Sequence, residues 1–167
     1  MDSNLRKLQA AIALATGGLR PEQVTKHPEG KWSVGQILEH LYLTYSGTAK
    51  GLERCLQEGK PLARSPMLKD RVRTLVVTGV GYMPEGRKAP ERTTPRGMPA
   101  EEAMGGIASQ IQAMDELITQ CEVRFGKRTR LLDHPILGPL TARQWRKFHW
   151  VHGRHHVKQI VRLRSGS

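Results

Sequence analysis

Apolar positions recur at steps of three and four residues along four stretches of this chain, the spacing that lines one face of a helix. Leu5, Leu8, Ile12 and Ala15 mark a first helix over residues 2–16, with Asp2 or Ser3 as cap and Gly17-Gly18 as its end. Ile37, Leu41, Leu52 and Cys55 mark a second over residues 33–58, opened by a Ser33/Gln36 capping box with Trp32 placed as a hydrophobic staple. Met104, Ile107, Ile111, Met114, Ile118 and Cys121 mark a third over residues 100–124, begun by Pro99 with Glu101 and Glu102 in its first turn. A Thr141/Gln144 capping box opens a fourth, over residues 141–164.

Between these helices the pattern is weaker. Residues 18–32 and 125–140 are rich in turn formers. Residues 67–77 read as a short helix or a strand, with the Leu-Val-Val run favouring extended backbone. Residues 79–99 show no period and many Gly and Pro, and are expected to form a long basic loop, of a length usual where a loop covers a site. Four long helices with long crossover connections imply an all-α fold, a four-helix bundle occupying residues 1–167 as one domain.

Composition refines the picture in three places. No apolar run is long enough to span a bilayer and residues 1–10 lack a hydrophobic signal core, so a cytoplasmic protein with no membrane partner is expected. Cys55 and Cys121 are far apart in sequence and are expected as buried thiols. The net charge of +12 admits a nucleic acid or an anionic small molecule as partner. Nucleic acid is the less favoured, because the basic residues are not interleaved with aromatics and no known DNA-binding motif occurs.

The candidate chemistry lies in the last helix, which carries four of the seven histidines. One stripe of it holds Trp145, Phe148, His152, His156, Gln159, Ile160 and Leu163, and the opposite side is basic. His152 and His156, spaced i and i+4, point the same way from the apolar face. Buried imidazoles need partners, and a metal ion suits this spacing. In the second helix His40 lies at the edge of the apolar side, in line with Thr44, Gly47 and Gly51. Those small residues suggest a close helix neighbour or a cavity beside His40. Three neutral imidazoles from two helices leave a fourth tetrahedral position open, as catalytic zinc sites do; nickel, iron or copper would also suit. Around them, Gln159 is placed to hold a ligand or a substrate, His149 to act as a second donor or to pack at the entrance, and His155 to lie near the rim. No Asp or Glu has a spacing that ties it to the three histidines.

The stretches KWSVGQILEHL (31–41) and HPILGPLTARQWRKFHWVHGRHHVKQI (134–160) resemble the DinB-like metalloenzyme superfamily, and within it a bacterial branch of unassigned activity. That family's pattern, a histidine in the second helix and H-x-x-x-H-x-x-Q in the last, falls here on His40 and on His152, His156 and Gln159. The resemblance implies an up-down-down-up bundle, a divalent metal that is often zinc or nickel, frequent homodimers, and S-transferase or isomerase chemistry with a low-molecular-weight thiol. On that basis the expected activity is a metal-dependent thiol transferase acting on a small molecule, with Arg87, Lys88 or Arg92 receiving carboxylates of an anionic thiol. The alternatives are a basic nucleic-acid-binding or stress-response protein and a non-catalytic dimeric bundle with ordinary core histidines.

Overall fold

A computed structural model describes residues 1–27, 29–81 and 88–165. Its helices are α1 (Ser3–Thr16), α2 (Pro21–Thr25), α3 (Val34–Glu58), α4 (Leu68–Thr74), α5 (Ala100–Phe125) and α6 (Ala142–Ser165). A π-helical turn (Leu75–Val80) continues α4, and a 3-10 turn (Glu91–Thr93) precedes α5. Strands β1 (Arg130–His134) and β2 (Gly138–Thr141) form an antiparallel hairpin before α6. The chain is thus mostly helical, as its periodicity indicates, with a small sheet that the periodicity does not. Among the described residues no helix is long and apolar enough to cross a membrane.

The four long helices begin where their caps dictate. Asp2 Oδ1 accepts the amide hydrogens of Asn4 and Leu5 at the start of α1. At α3, Ser33 Oγ accepts from the Gln36 amide at 3.2 Å and Gln36 Oε1 from the Ser33 amide at 3.1 Å. Thr141 and Gln144 repeat the reciprocal pair at α6. Each box satisfies two amides that the first helical turn leaves without partners.

α3 packs most extensively on α5, and α1 on α6. Leu8, Leu38, Leu41, Ile111, Met114 and Ile160 are among the fully buried side chains of the shared core. The thiols of Cys55 and Cys121 are free, buried and donated to the carbonyls of Leu131 and Leu52. Burial pushes the Cys121 thiol up to about 11, so neither is a ready nucleophile. At the open end of α1 the Asp2 amide donates to Asp115 on α5. Arg146 on α6 donates to Asp115 at 2.7 Å and to Glu122 at 2.9 Å, tying three elements together.

Three local readings change. Residues 68–80 are helical rather than extended, because Asp70, Thr74 and Val77 sit on one buried face at helical spacing. Asp70 is held there by Arg64 Nη1 at 2.7 Å, and Thr74 Oγ1 donates to the Leu137 carbonyl. Residues 130–141 are a hairpin rather than a turn-rich lead-in. Both strands are edges, so Pro139 removes no needed hydrogen bond. Third, the space at Gly51 serves this hairpin: a Cβ there would lie 2.8 Å from Leu132 Cδ1, while Gly47 meets nothing within 4 Å. Gly51 therefore admits a strand rather than a neighbouring helix, and Gly47 is exposed.

The hairpin turn carries a pH prediction. His134 Nδ1 accepts the amide hydrogens of Ile136 and Leu137, both at 3.1 Å, so the ring must stay neutral. Burial lowers its pKa from 6.5 to about 4. Below pH 6.5 the unfolded chain takes up a proton that the folded chain refuses, so stability is full above 6.5 and falls as pH drops toward 4. The ring is partly exposed, which limits the effect to about 2 kcal/mol. In chelator-treated protein, His134→Asn should flatten the urea midpoint against pH over this window relative to the parent; an identical slope would contradict the assignment.

Candidate metal centre

The capping box and α3's apolar stripe place His40 two turns into that helix, turned toward α6. His152 and His156 come from successive turns of α6. Their Nε2 atoms converge: His152 Nε2 lies 3.1 Å from His40 Nε2 and 3.1 Å from His156 Nε2. The ligand atoms of all three lie within 4.8 Å of one another, and the set can hold a metal ion. Two metal–nitrogen bonds of about 2.05 Å at a tetrahedral angle would separate their nitrogens by about 3.3 Å, close to the two 3.1 Å approaches. His40 and His156 are buried and His152 is half-buried.

The opposite ring atoms are held by acceptors. His40 Nδ1 lies 2.7 Å from the carbonyl oxygen of Thr93, which can only accept, so Nδ1 carries the hydrogen and Nε2 presents a lone pair. His156 Nδ1 donates to Gln159 Oε1 at 2.8 Å, and Gln159 Nε2 donates onward to His155 Nε2 at 3.1 Å. His40 and His156 thus turn lone pairs toward His152, whose own Nε2 meets them with a hydrogen in one tautomer and offers a third lone pair to a cation in the other. This orientation of ring nitrogens by outer hydrogen bonds is the usual arrangement around metal-binding histidines. His152 Nδ1 is buried and has no such acceptor among the described residues; its ring is stacked on Phe148 at 5.3 Å between centroids and 19° between planes.

Burial keeps the three rings neutral. It lowers His40, takes His156 to about 3, and holds His152 well below the ordinary imidazole value, with the neighbouring histidines adding to the effect on His152 and His156. Neutral imidazole is the form that binds metal, so burial prepares the set at pH 7.

Other expected residues fall as follows. Gln159 is next to the cluster and links His156 to His155. His155 is half-buried at its rim. His149 is neither at an entrance nor bonded to a ligand: it is fully buried against Tyr45, Trp145 and Phe148, and burial takes it to about 3. Lys88 and Arg92 are exposed on the segment that crosses His40, whereas Arg87 lies outside the described residues. Three contributors were not read from the sequence as parts of the site. Trp32, expected only as a staple, has its ring 5.0 Å from that of His40. Thr93 acts through its backbone, which no side-chain pattern reveals. Glu39, next to His40, accepts the amide hydrogens of Arg96 and Gly97.

A family model described as "Protein of unknown function (DUF1569)" matches residues 1–163, a span that contains all three histidines. The chain belongs to this family. Another protein similar to this DUF1569 member is the uncharacterized protein YuaE of Bacillus subtilis (strain 168), 24% identical over 161 residues that cover 89% of this chain and 87% of the relative. No solved structure matches.

Proposed function

We propose that this DUF1569 protein is a divalent-metal-binding member of the DinB-like superfamily, folded as one four-helix-bundle domain, and that it works as a metal-dependent thiol transferase. The observation that carries the reading is the convergence of three Nε2 atoms with the outer nitrogens of two rings already hydrogen-bonded. His40, His152 and His156 are the ligands, and zinc or nickel suits an all-imidazole set with an open position. A divalent ion held there would lower the pKa of a low-molecular-weight thiol and so supply a thiolate at neutral pH. The chain's own residues orient and select. Thr93 and Gln159 fix the rings, and Trp32 and Phe148 wall the site with apolar surface. The exposed cations Lys88 and Arg92 meet anionic groups of the thiol or its acceptor.

The test is elemental analysis of the purified protein, followed by thiol consumption with an electrophilic small molecule. The metal-loaded protein should accelerate transfer, and chelation should abolish the acceleration. Equal rates with and without metal would overturn the transferase reading. Salt-sensitive binding to random DNA that ignores chelators would favour the nucleic-acid alternative.

A further inference from the structure

Glu39 and His40 are consecutive on α3, yet both reach the same short stretch after the 3-10 turn. His40 donates to the carbonyl of Thr93, and the Glu39 carboxylate accepts the amide hydrogens of Arg96 at 2.6 Å and Gly97 at 3.1 Å. Glu39 is 3% exposed. The two backbone amides satisfy its buried carboxyl oxygens. Gly97, which supplies the second of these amides, takes a φ of +98°, a backbone shape that side chains disfavour. The segment's other internal ties are those of a single turn, Thr93 to Pro90 and Thr94 to Glu91.

We propose that Glu39 is a positioning residue for His40. It anchors residues 93–97 so that the Thr93 carbonyl stays in place, selects the Nδ1–H tautomer of His40, and leaves Nε2 facing His152 and His156. Glu39 does not act as a ligand or proton carrier here, since both its oxygens are engaged by amides. The effect on metal affinity rests on the metal-binding reading above; the effect on the tautomer does not.

The test uses the full-length protein and two readouts. In chelator-treated protein, proton–nitrogen correlation of the imidazoles should show His40 as Nδ1–H in the parent. In Glu39→Ala it should become a mixture of tautomers, while His134, whose Nδ1 is held by the Ile136 and Leu137 amides, keeps its hydrogen on Nε2. Zinc affinity, measured by competition with a chromophoric chelator, should fall about ten- to hundredfold, the usual consequence of losing a ligand's outer support. Glu39→Gln, which can still accept one amide, should lie between. Gly97→Ala, which strains the same turn without touching α3, should reproduce the His40 change and decides the matter if Glu39→Ala unfolds. A parent-like tautomer with parent-like affinity in the folded variants would overturn the proposal. A changed tautomer in a protein whose parent binds no zinc would sustain the positioning role and refute the metal reading.

Discussion

His152→Ala is expected to leave the purified protein without its metal, with zinc affinity weakened at least about a hundredfold. The geometry gives this ring a special place. Its Nε2 is the vertex shared by the two 3.1 Å approaches, to His40 and to His156. Removing it leaves two imidazoles from different helices, and one fewer protein bond to the ion. The neighbouring His155→Ala makes the contrast. That ring contacts Gln159 rather than the converging nitrogens, so its removal should reduce affinity by less than about tenfold. Elemental analysis and chelator competition on both variants, with circular dichroism to confirm retained helix, measure the difference. A His152→Ala protein that keeps a full equivalent of metal would refute the ligand assignment.

The largest expected effect on stability lies one residue further along. Gly153 lies where α6 packs against Leu8 of α1. A Cβ on Gly153 would lie 2.5 and 2.8 Å from the two methyl carbons of Leu8 and 3.0 Å from Tyr45 Oη, and both of those side chains are fully buried. Neither can move outward without opening the core, so the added atoms must part the helices. Gly153→Ala regains about 1 kcal/mol of helix propensity against this strain, whereas Gly153→Val adds two more carbons and a β-branch. Gly153→Val should therefore lower stability by about 3 kcal/mol or more, read as a shifted urea midpoint in the presence of chelator. An unchanged midpoint would mean that α1 does not pack on α6 as described.

Much of this architecture could be read from residue order because it is locally encoded. The caps at Asp2, Ser33 and Thr141 act over two or three residues, and the apolar stripes of α3, α5 and α6 repeat at a spacing that only a helix satisfies. His152 and His156 stood out for the same reason, being one turn apart on a face that must be buried. His40 is legible from its position at the edge of an apolar stripe, and the family resemblance points to the same residue.

The features that escaped are non-local or polar. α4 buries Asp70 and Thr74, so its inward face does not register as hydrophobic, and its Leu-Val-Val run suggests a strand. The hairpin is two short strands, with Pro139 in the second and Pro135 in a turn where a histidine nitrogen takes the place of a carbonyl. His149 reads as a site residue because it lies near the stripe. One turn from His152, however, that side of the helix has passed from the histidine cluster into an aromatic core. The hold on His40 is made 53 residues away in sequence, by the backbone carbonyl of Thr93, and the role of Glu39 appears only once that segment is folded across α3.

The most direct measurement is X-ray absorption at the metal edge of the zinc-loaded full-length protein. Convergence of His40, His152 and His156 predicts three imidazole nitrogens at about 2.0–2.1 Å, with the remaining coordination supplied by a light atom from solvent. A first shell with fewer than three imidazoles, or one containing sulfur from Cys55 or Cys121, would contradict it.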